Sequence, residues 1–177
     1  GGVRYDESED FDNITLTNSR KNKVSPRGGL VWRPTQELSI YGSYTENFGA
    51  SNGFDGYGKA LAPQTAQQWE VGAKTELWDG RFSATLAYFD LTKQNIAVST
   101  DFMTYTTIGG AESRGIELDI SGEILPGWKM IGGYSFMPFA KVTSDIVSSN
   151  IGSRLPLAPT DSGSLWNTYE FKTGDLQ

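Results

Sequence analysis

The sequence predicts an all-β fold, an antiparallel up-and-down barrel whose strands cross a membrane. Three observations carry the prediction: period-two alternation along nearly the whole chain, connections sorted by length, and tryptophans gathered towards strand ends. The alternation is clearest over residues 113–137, where Ile116, Leu118, Ile120 and Ile124 stand at every second position with Glu117, Asp119, Ser121 and Glu123 between them. Successive side chains of a strand point to opposite faces, so one face is oily and the other acidic. Pro126-Gly127 supplies a tight reversal, and Trp128, Met130, Tyr134 and Phe136 repeat the pattern on the return strand.

Taken in order, the same reading predicts about eight strands, over 1–8, 24–33, 37–48, 68–78, 81–98, 113–125, 128–144 and 161–171. The connections Pro34-Thr35-Gln36, Asp79-Gly80 and Pro126-Gly127 are short, whereas 9–23, 49–67, 99–112 and 145–160 are long, polar and rich in Gly, Ser and Asn. In a meander this sorts short turns to one end and long loops to the other, which is the habit of membrane barrels. Trp32, Trp78 and Trp128 stand beside short turns, and Trp69 and Trp166 are expected near the long-loop ends. An amphipathic ring is most stable at headgroup level. Parity puts Trp32, Trp69 and Trp128 on the apolar face and Trp78 and Trp166 on the polar one.

Composition narrows the function. The chain has 177 residues, a net charge of −6, and neither Cys nor His. Imidazole acid–base chemistry, thiolate chemistry, disulfides and nearly all zinc sites are thereby excluded. Lys and Arg are scattered singly, which argues against a nucleic-acid partner. No run approaches the roughly 18 apolar residues of a membrane helix, but barrel strands are apolar only at alternate positions and escape that criterion. The first residues lack the regions of a signal peptide and already alternate, so the chain is expected to begin inside a structure.

Local constellations suggest no enzyme. Glu117, Asp119 and Glu123 share a face with neighbours roughly 7 Å apart, loosely the geometry of a glycosidase pair, but a solvated wall explains them more simply. Residues 6–13 are acidic without the glycine and spacing of a calcium loop, and read as an exposed acidic loop. The glycines of 49–58 are followed by no Lys-Ser/Thr and no helix, so they form no phosphate cradle. Alternation by itself also suits a soluble β-sandwich that binds or adheres, with the apolar face as its core. A small closed structural barrel is the other alternative, although eight strands leave an interior only wide enough for their own side chains. Glu70, Lys74, Glu76, Glu117, Asp119 and Glu123 would then be buried together, at a cost of several kcal/mol for each unpaired charge. An arc of a wider barrel, with those six residues facing a hydrated lumen and two edges awaiting neighbours, is easier on them.

Six stretches resemble the barrel of TonB-dependent siderophore receptors. They are Val24-Ser-Pro-Arg-Gly-Gly-Leu-Val-Trp-Arg-Pro34 with Glu37-Leu-Ser-Ile-Tyr-Gly-Ser-Tyr-Thr-Glu-Asn-Phe48, Pro63-Gln-Thr-Ala-Gln-Gln-Trp-Glu-Val-Gly-Ala-Lys74, Asp79-Gly-Arg-Phe-Ser-Ala-Thr-Leu-Ala-Tyr-Phe89, Ser113-Arg-Gly-Ile-Glu-Leu118, Leu155-Pro-Leu-Ala-Pro159 and Ser164-Leu-Trp-Asn-Thr-Tyr-Glu-Phe171. No one of them is specific; their order along nearly the whole chain is. The resemblance implies a barrel of 22 strands around a plug, located in the bacterial outer membrane. Residues 1–177 correspond to a partial barrel domain, with no plug domain among them. The implied partners are a ferric siderophore as transported ligand, the TonB complex acting through the missing plug, and outer-membrane lipid; no resident cofactor, catalytic residue or metal site is expected. Aromatic faces with a cation suit an anionic ferric chelate. Phe48, Phe54, Tyr57, Phe102, Tyr105 and Arg154, in or beside the long loops, are the candidate ligand contacts.

Overall fold

The computed structural model describes residues 1–12, 17–49, 61–101, 104–145 and 147–171. They form eight strands: β1 (Gly2–Asp12), β2 (Thr17–Trp32), β3 (Leu38–Gly49), β4 (Gln64–Leu77), β5 (Phe82–Asp101), β6 (Thr104–Leu125), β7 (Trp128–Ser144) and β8 (Asp161–Tyr169). All lie in one sheet in chain order, every neighbouring pair antiparallel, and β1 does not pair with β8. The sheet is an open arc, as expected of part of a barrel. Among the described residues no second sheet covers it, which does not favour the soluble sandwich.

The two faces follow directly from the register. One row of partners runs Trp32, Ile40, Ala73, Leu86, Leu118, Tyr134 and Gly163 across β2 to β8. The adjacent row, displaced by one residue, runs Tyr41, Gly72, Ala87, Glu117, Ser135 and Ser162 across β3 to β8. The first row lies open: Leu30, its neighbour two residues from Trp32, is 84% exposed, Trp69 64% and Leu86 52%. Among the described residues no large side chain is fully buried. The small core lies on the other face instead, with Ala87, Phe89, Ala111, Ala140 and Val142 all buried. With no covering layer, side chains converge in this way only on the concave side of a curved sheet. The polar face is therefore inner and the apolar face outer.

The apolar band occupies 69–77 on β4, 116–125 on β6 and 128–136 on β7, matching the roughly 9 to 11 residues that a tilted strand needs to cross hydrocarbon. Beyond it the strands continue, and here the sequence reading is corrected. Most of 9–23 and 99–112, expected as loops, belongs to the β1–β2 and β5–β6 hairpins. Outside the bilayer both faces of a ladder meet water, so these extensions carry polar residues on both sides and show no alternation. The acidic run from Asp6 is likewise strand and not loop: Asp6 pairs with Arg4 at 2.7 Å, and Glu7 pairs with Arg20. Only 145–160 and the segment between β3 and β4 remain as long connections at that end with described residues of their own.

At the opposite end the turns are tight. Asp79 and Gly80 have φ of 58° and 79°, the paired positive values that a two-residue hairpin of right-handed twist requires. Trp78 also has φ 56°, and its ring lies 5.4 Å from that of Phe82, an outer-face residue. The parity that put Trp78 inward does not hold, because the left-handed backbone ends the pleat before it. Trp166, opposite Ile131, does point inward by register, but it lies nearer the turn-end partner Tyr169 of Trp128 than the long-loop end expected for it. Trp69 lies six residues into β4, because the strand starts at Gln64 and not at 68.

Candidate ligand-facing wall and mouth

On the inner face, the ring of Tyr41 lies over Gly72, its partner on β4. A Cβ at Gly72 would stand 2.7 Å from the ring's Cζ and 2.8 Å from the Leu86 carbonyl oxygen. Glycine is what permits this approach. The Tyr41 hydroxyl donates to Glu70 Oε1 at 2.7 Å, and Gln68 Nε2 donates to Glu70 Oε2 at 3.0 Å. Both oxygens of Glu70 are thus held, and the carboxylate is fixed on the wall. Phe89 covers Gly115 in the same way, its ring 3.0 Å from where a Cβ would be. Such aromatic cover of a cross-strand glycine restores contacts that the missing side chain forfeits.

Glu117 and Asp119 stand two strands from Gly72 and Lys74 in the same rows, about 10 Å away at ordinary strand spacing. Their β7 and β8 neighbours are small: Gly133, Ser135, Ser162 and Ser164. Together these residues line an open polar recess of about 400 Å³. Lys74 pairs with Glu76 along β4 at 3.0 Å. Glu123, the sixth inner-wall candidate, accepts the Gly127 amide at 2.8 Å and so caps the turn. The inner wall is therefore an acidic, hydroxyl-rich surface in which Lys74 is paired with Glu76 and Lys129 stands opposite Glu123. Tyr41 was not singled out from the sequence: alternation puts it on the polar face of β3, but its glycine partner on β4 is fixed only by register.

At the mouth the structure brings fewer candidates together. Phe48 is half-buried near the end of β3 and pairs with Thr65, on the register of Tyr44 and Trp69; alternation along β3 therefore turns this candidate contact to the outer face. Phe54, Tyr57 and Phe102 lie outside the described residues. Tyr105 pairs with Ser99 in the β5–β6 extension. Arg154 is the residue whose surroundings are clearest. Its guanidinium donates to the carbonyls of Met137 at 2.8 Å, Pro138 at 3.0 Å and Ala158 at 3.1 Å. Backbone bonds from Leu155 to Ala140 at 2.9 Å and from Val142 to Ser153 at 3.0 Å lay the same segment along β7. Arg154 thus ties the connection after β7 to the wall. Its planar fork of donors suits three acceptors held at fixed places.

The wall described here matches a known family along its whole length: residues 1–177 fit the family model described as TonB dependent receptor-like, beta-barrel. The chain belongs to the TonB-dependent receptor β-barrel family. The metal-pseudopaline receptor of Pseudomonas aeruginosa is 35% identical over 99% of this chain and 26% of its own length. The ferric-pyoverdine 358 receptor of Pseudomonas putida is 34% identical over 82% of this chain and 18% of its own length. Among solved structures, the ferripyoverdine receptor of the Pseudomonas aeruginosa outer membrane, bound to ferripyoverdine, superposes with a TM-score of 0.70 at 29% identity, covering 89% of this chain and 22% of the receptor. The chain thus spans about a quarter or less of these relatives. TonB-dependent receptors are outer-membrane β-barrels, and the open sheet with its exposed apolar band is a section of such a barrel.

Proposed function

We propose that the chain forms part of the wall of a receptor that takes ferric siderophores across the outer membrane into the periplasm, driven by TonB through an interior plug. The observation that carries this is the division of one uncovered sheet into an apolar outer face and an acidic inner one. The outer face meets lipid acyl chains. The inner carboxylates Glu70, Lys74-paired Glu76, Glu117 and Asp119 face the lumen and the plug, and Glu123 closes a periplasmic turn. The relatives named for ferric pyoverdine support a ferric chelate as the transported ligand. Of the candidates at the mouth, Phe48 stands on the outer-face register of Tyr44 and Trp69 and is set aside; Phe54, Tyr57, Phe102 and Tyr105 contact that chelate, with Arg154 holding the connection after β7 to the wall. The wall binds and guides its ligand and carries out no catalysis.

The test is uptake of radioactive iron by cells expressing the full-length receptor, supplied with a panel of ferric siderophores under iron limitation. Accumulation dependent on both the receptor and TonB, for at least one chelate, is expected. Uptake that is independent of TonB, or absent for every iron chelate in the panel, would overturn the proposal.

A further inference from the structure

The outer face is not uniformly ridged. Two of its glycines, Gly28 and Gly42, leave a hollow in the apolar band. Three glycines elsewhere in the sheet are roofed by their aromatic partners, Gly72 by Tyr41, Gly115 by Phe89 and Gly163 by Tyr134. Gly28 and Gly42 have no such cover. A Cβ at Gly28 would meet nothing within 4 Å, and one at Gly42 only the Glu70 carbonyl oxygen at 3.9 Å. The ring opposite Gly28 is Tyr44, and it has turned the other way, onto Trp69, with centroids 4.5 Å apart. The result is a groove of about 910 Å³, walled by Leu30, Trp32, Ile40, Tyr44, Trp69 and Val71.

We propose that this groove seats one acyl chain of an outer-membrane lipid. Its volume lies within the roughly 300 to 1,000 Å³ of small-ligand sites, but it lacks the few polar groups by which such sites orient a ligand. The Glu70 carboxylate is engaged on the opposite face by Tyr41 and Gln68, and the Tyr44 hydroxyl of the wall is spent on Glu46 Oε1 at 2.6 Å. A partner recognised here must therefore be aliphatic. The groove is continuous with the apolar band through Leu86 and Leu118. Its Tyr44–Trp69 rim leads, in the same row, to Asp90 and Arg114, which pair at 2.9 Å. That pair marks where the band ends and water or headgroups begin. A chain anchored by its headgroup at that level would enter beside Trp69 and lie over the two glycines.

The seat rests on the reading of the apolar face as lipid-facing, and the experiment separates the two. The full-length receptor in dodecylmaltoside micelles is titrated with phosphatidylcholine brominated at mid-chain. Quenching of Trp69 is isolated by subtracting the Trp69→Phe variant. Wild-type quenching is expected to saturate at low lipid fraction, and Gly42→Leu and Gly28→Leu, which fill the floor, are expected to abolish the saturable phase. Quenching merely proportional to lipid fraction in the wild type would overturn the seat while leaving the band against lipid. Absence of any quenching at Trp69 would overturn the lipid-facing reading as well. A receptor dimer in sedimentation with Trp69 shielded from lipid would also overturn the seat, by giving the groove to a second copy. Heat-modifiable migration reports whether the leucine variants fold; if neither does, the wild-type titration decides.

Discussion

Replacing Gly72 by alanine tests whether the inner wall is built on the close approach of Tyr41. The new Cβ would stand 2.7 Å from the Tyr41 Cζ and hydroxyl oxygen and 2.8 Å from the Leu86 carbonyl oxygen. The ring can swing away, but the carbonyl belongs to the β4–β5 ladder and cannot. Overpacking of this kind costs about 1 to 3 kcal/mol, and displacing the ring also loses the Tyr41–Glu70 hydrogen bond, worth about 1 kcal/mol. The expected loss is therefore roughly 2 to 4 kcal/mol. It would be read from reversible urea unfolding of the full-length barrel in lipid vesicles, followed by tryptophan fluorescence. Tyr41→Phe removes the hydrogen bond alone and should cost about 1 kcal/mol. Adding Tyr41→Ala to Gly72→Ala should recover the part due to the ring and leave the part due to the Leu86 carbonyl. A Gly72→Ala barrel as stable as wild type, within the error of the titration, would refute the reasoning.

Three further outcomes follow from the same geometry. Leu118→Arg, on the outer face, should destabilise the folded barrel by about 2 to 4 kcal/mol and lower its yield in heat-modifiable gels, whereas Asp119→Arg, one residue on and facing the lumen, should stay within about 1 kcal/mol of wild type. Arg154→Ala removes three bonds to backbone carbonyls; at about 0.5 to 1.5 kcal/mol for each exposed bond, amide exchange at Leu155 and Val142 should quicken at least tenfold while the β4–β5 amides stay unchanged. Gly127→Ala forces an alanine to a φ of 83° and sets its Cβ 2.9 Å from the Glu170 carbonyl oxygen. A loss of about 1 to 2 kcal/mol in the urea titration is expected, with ligand uptake at the far end unchanged.

Much of this was legible from the chain because a strand's side-chain period is two, so the face of each residue is written in its position. Ile116, Leu118 and Ile120 against Glu117 and Asp119 gave both faces before any partner was known. Turn chemistry was equally local: Asp79-Gly80 and Pro126-Gly127 sit where the chain reverses. The signal failed where its cause was absent. In the β1–β2 and β5–β6 extensions both faces meet water, no alternation is demanded, and strand reads as loop. It failed again at Trp78, where a left-handed residue breaks the parity.

By itself, then, the sequence determined the strand periodicity and the sign of each face, since these depend on residue type and spacing alone, and its ordered stretches resembled the family that the match over residues 1–177 shows. Which solvent met the oily face was left open by alternation and depended on tertiary structure, because among the described residues the apolar row lies open on a single sheet, as in a section of a membrane barrel. Register decided the rest. That Tyr41 reaches Glu70 across Gly72, that Arg154 is spent on three carbonyls, and that Gly28 and Gly42 stand diagonally across the β2–β3 ladder beside a turned-away Tyr44 all depend on residues far apart in the chain being brought opposite one another. No local pattern encodes such pairings, because they are fixed by the alignment of whole strands.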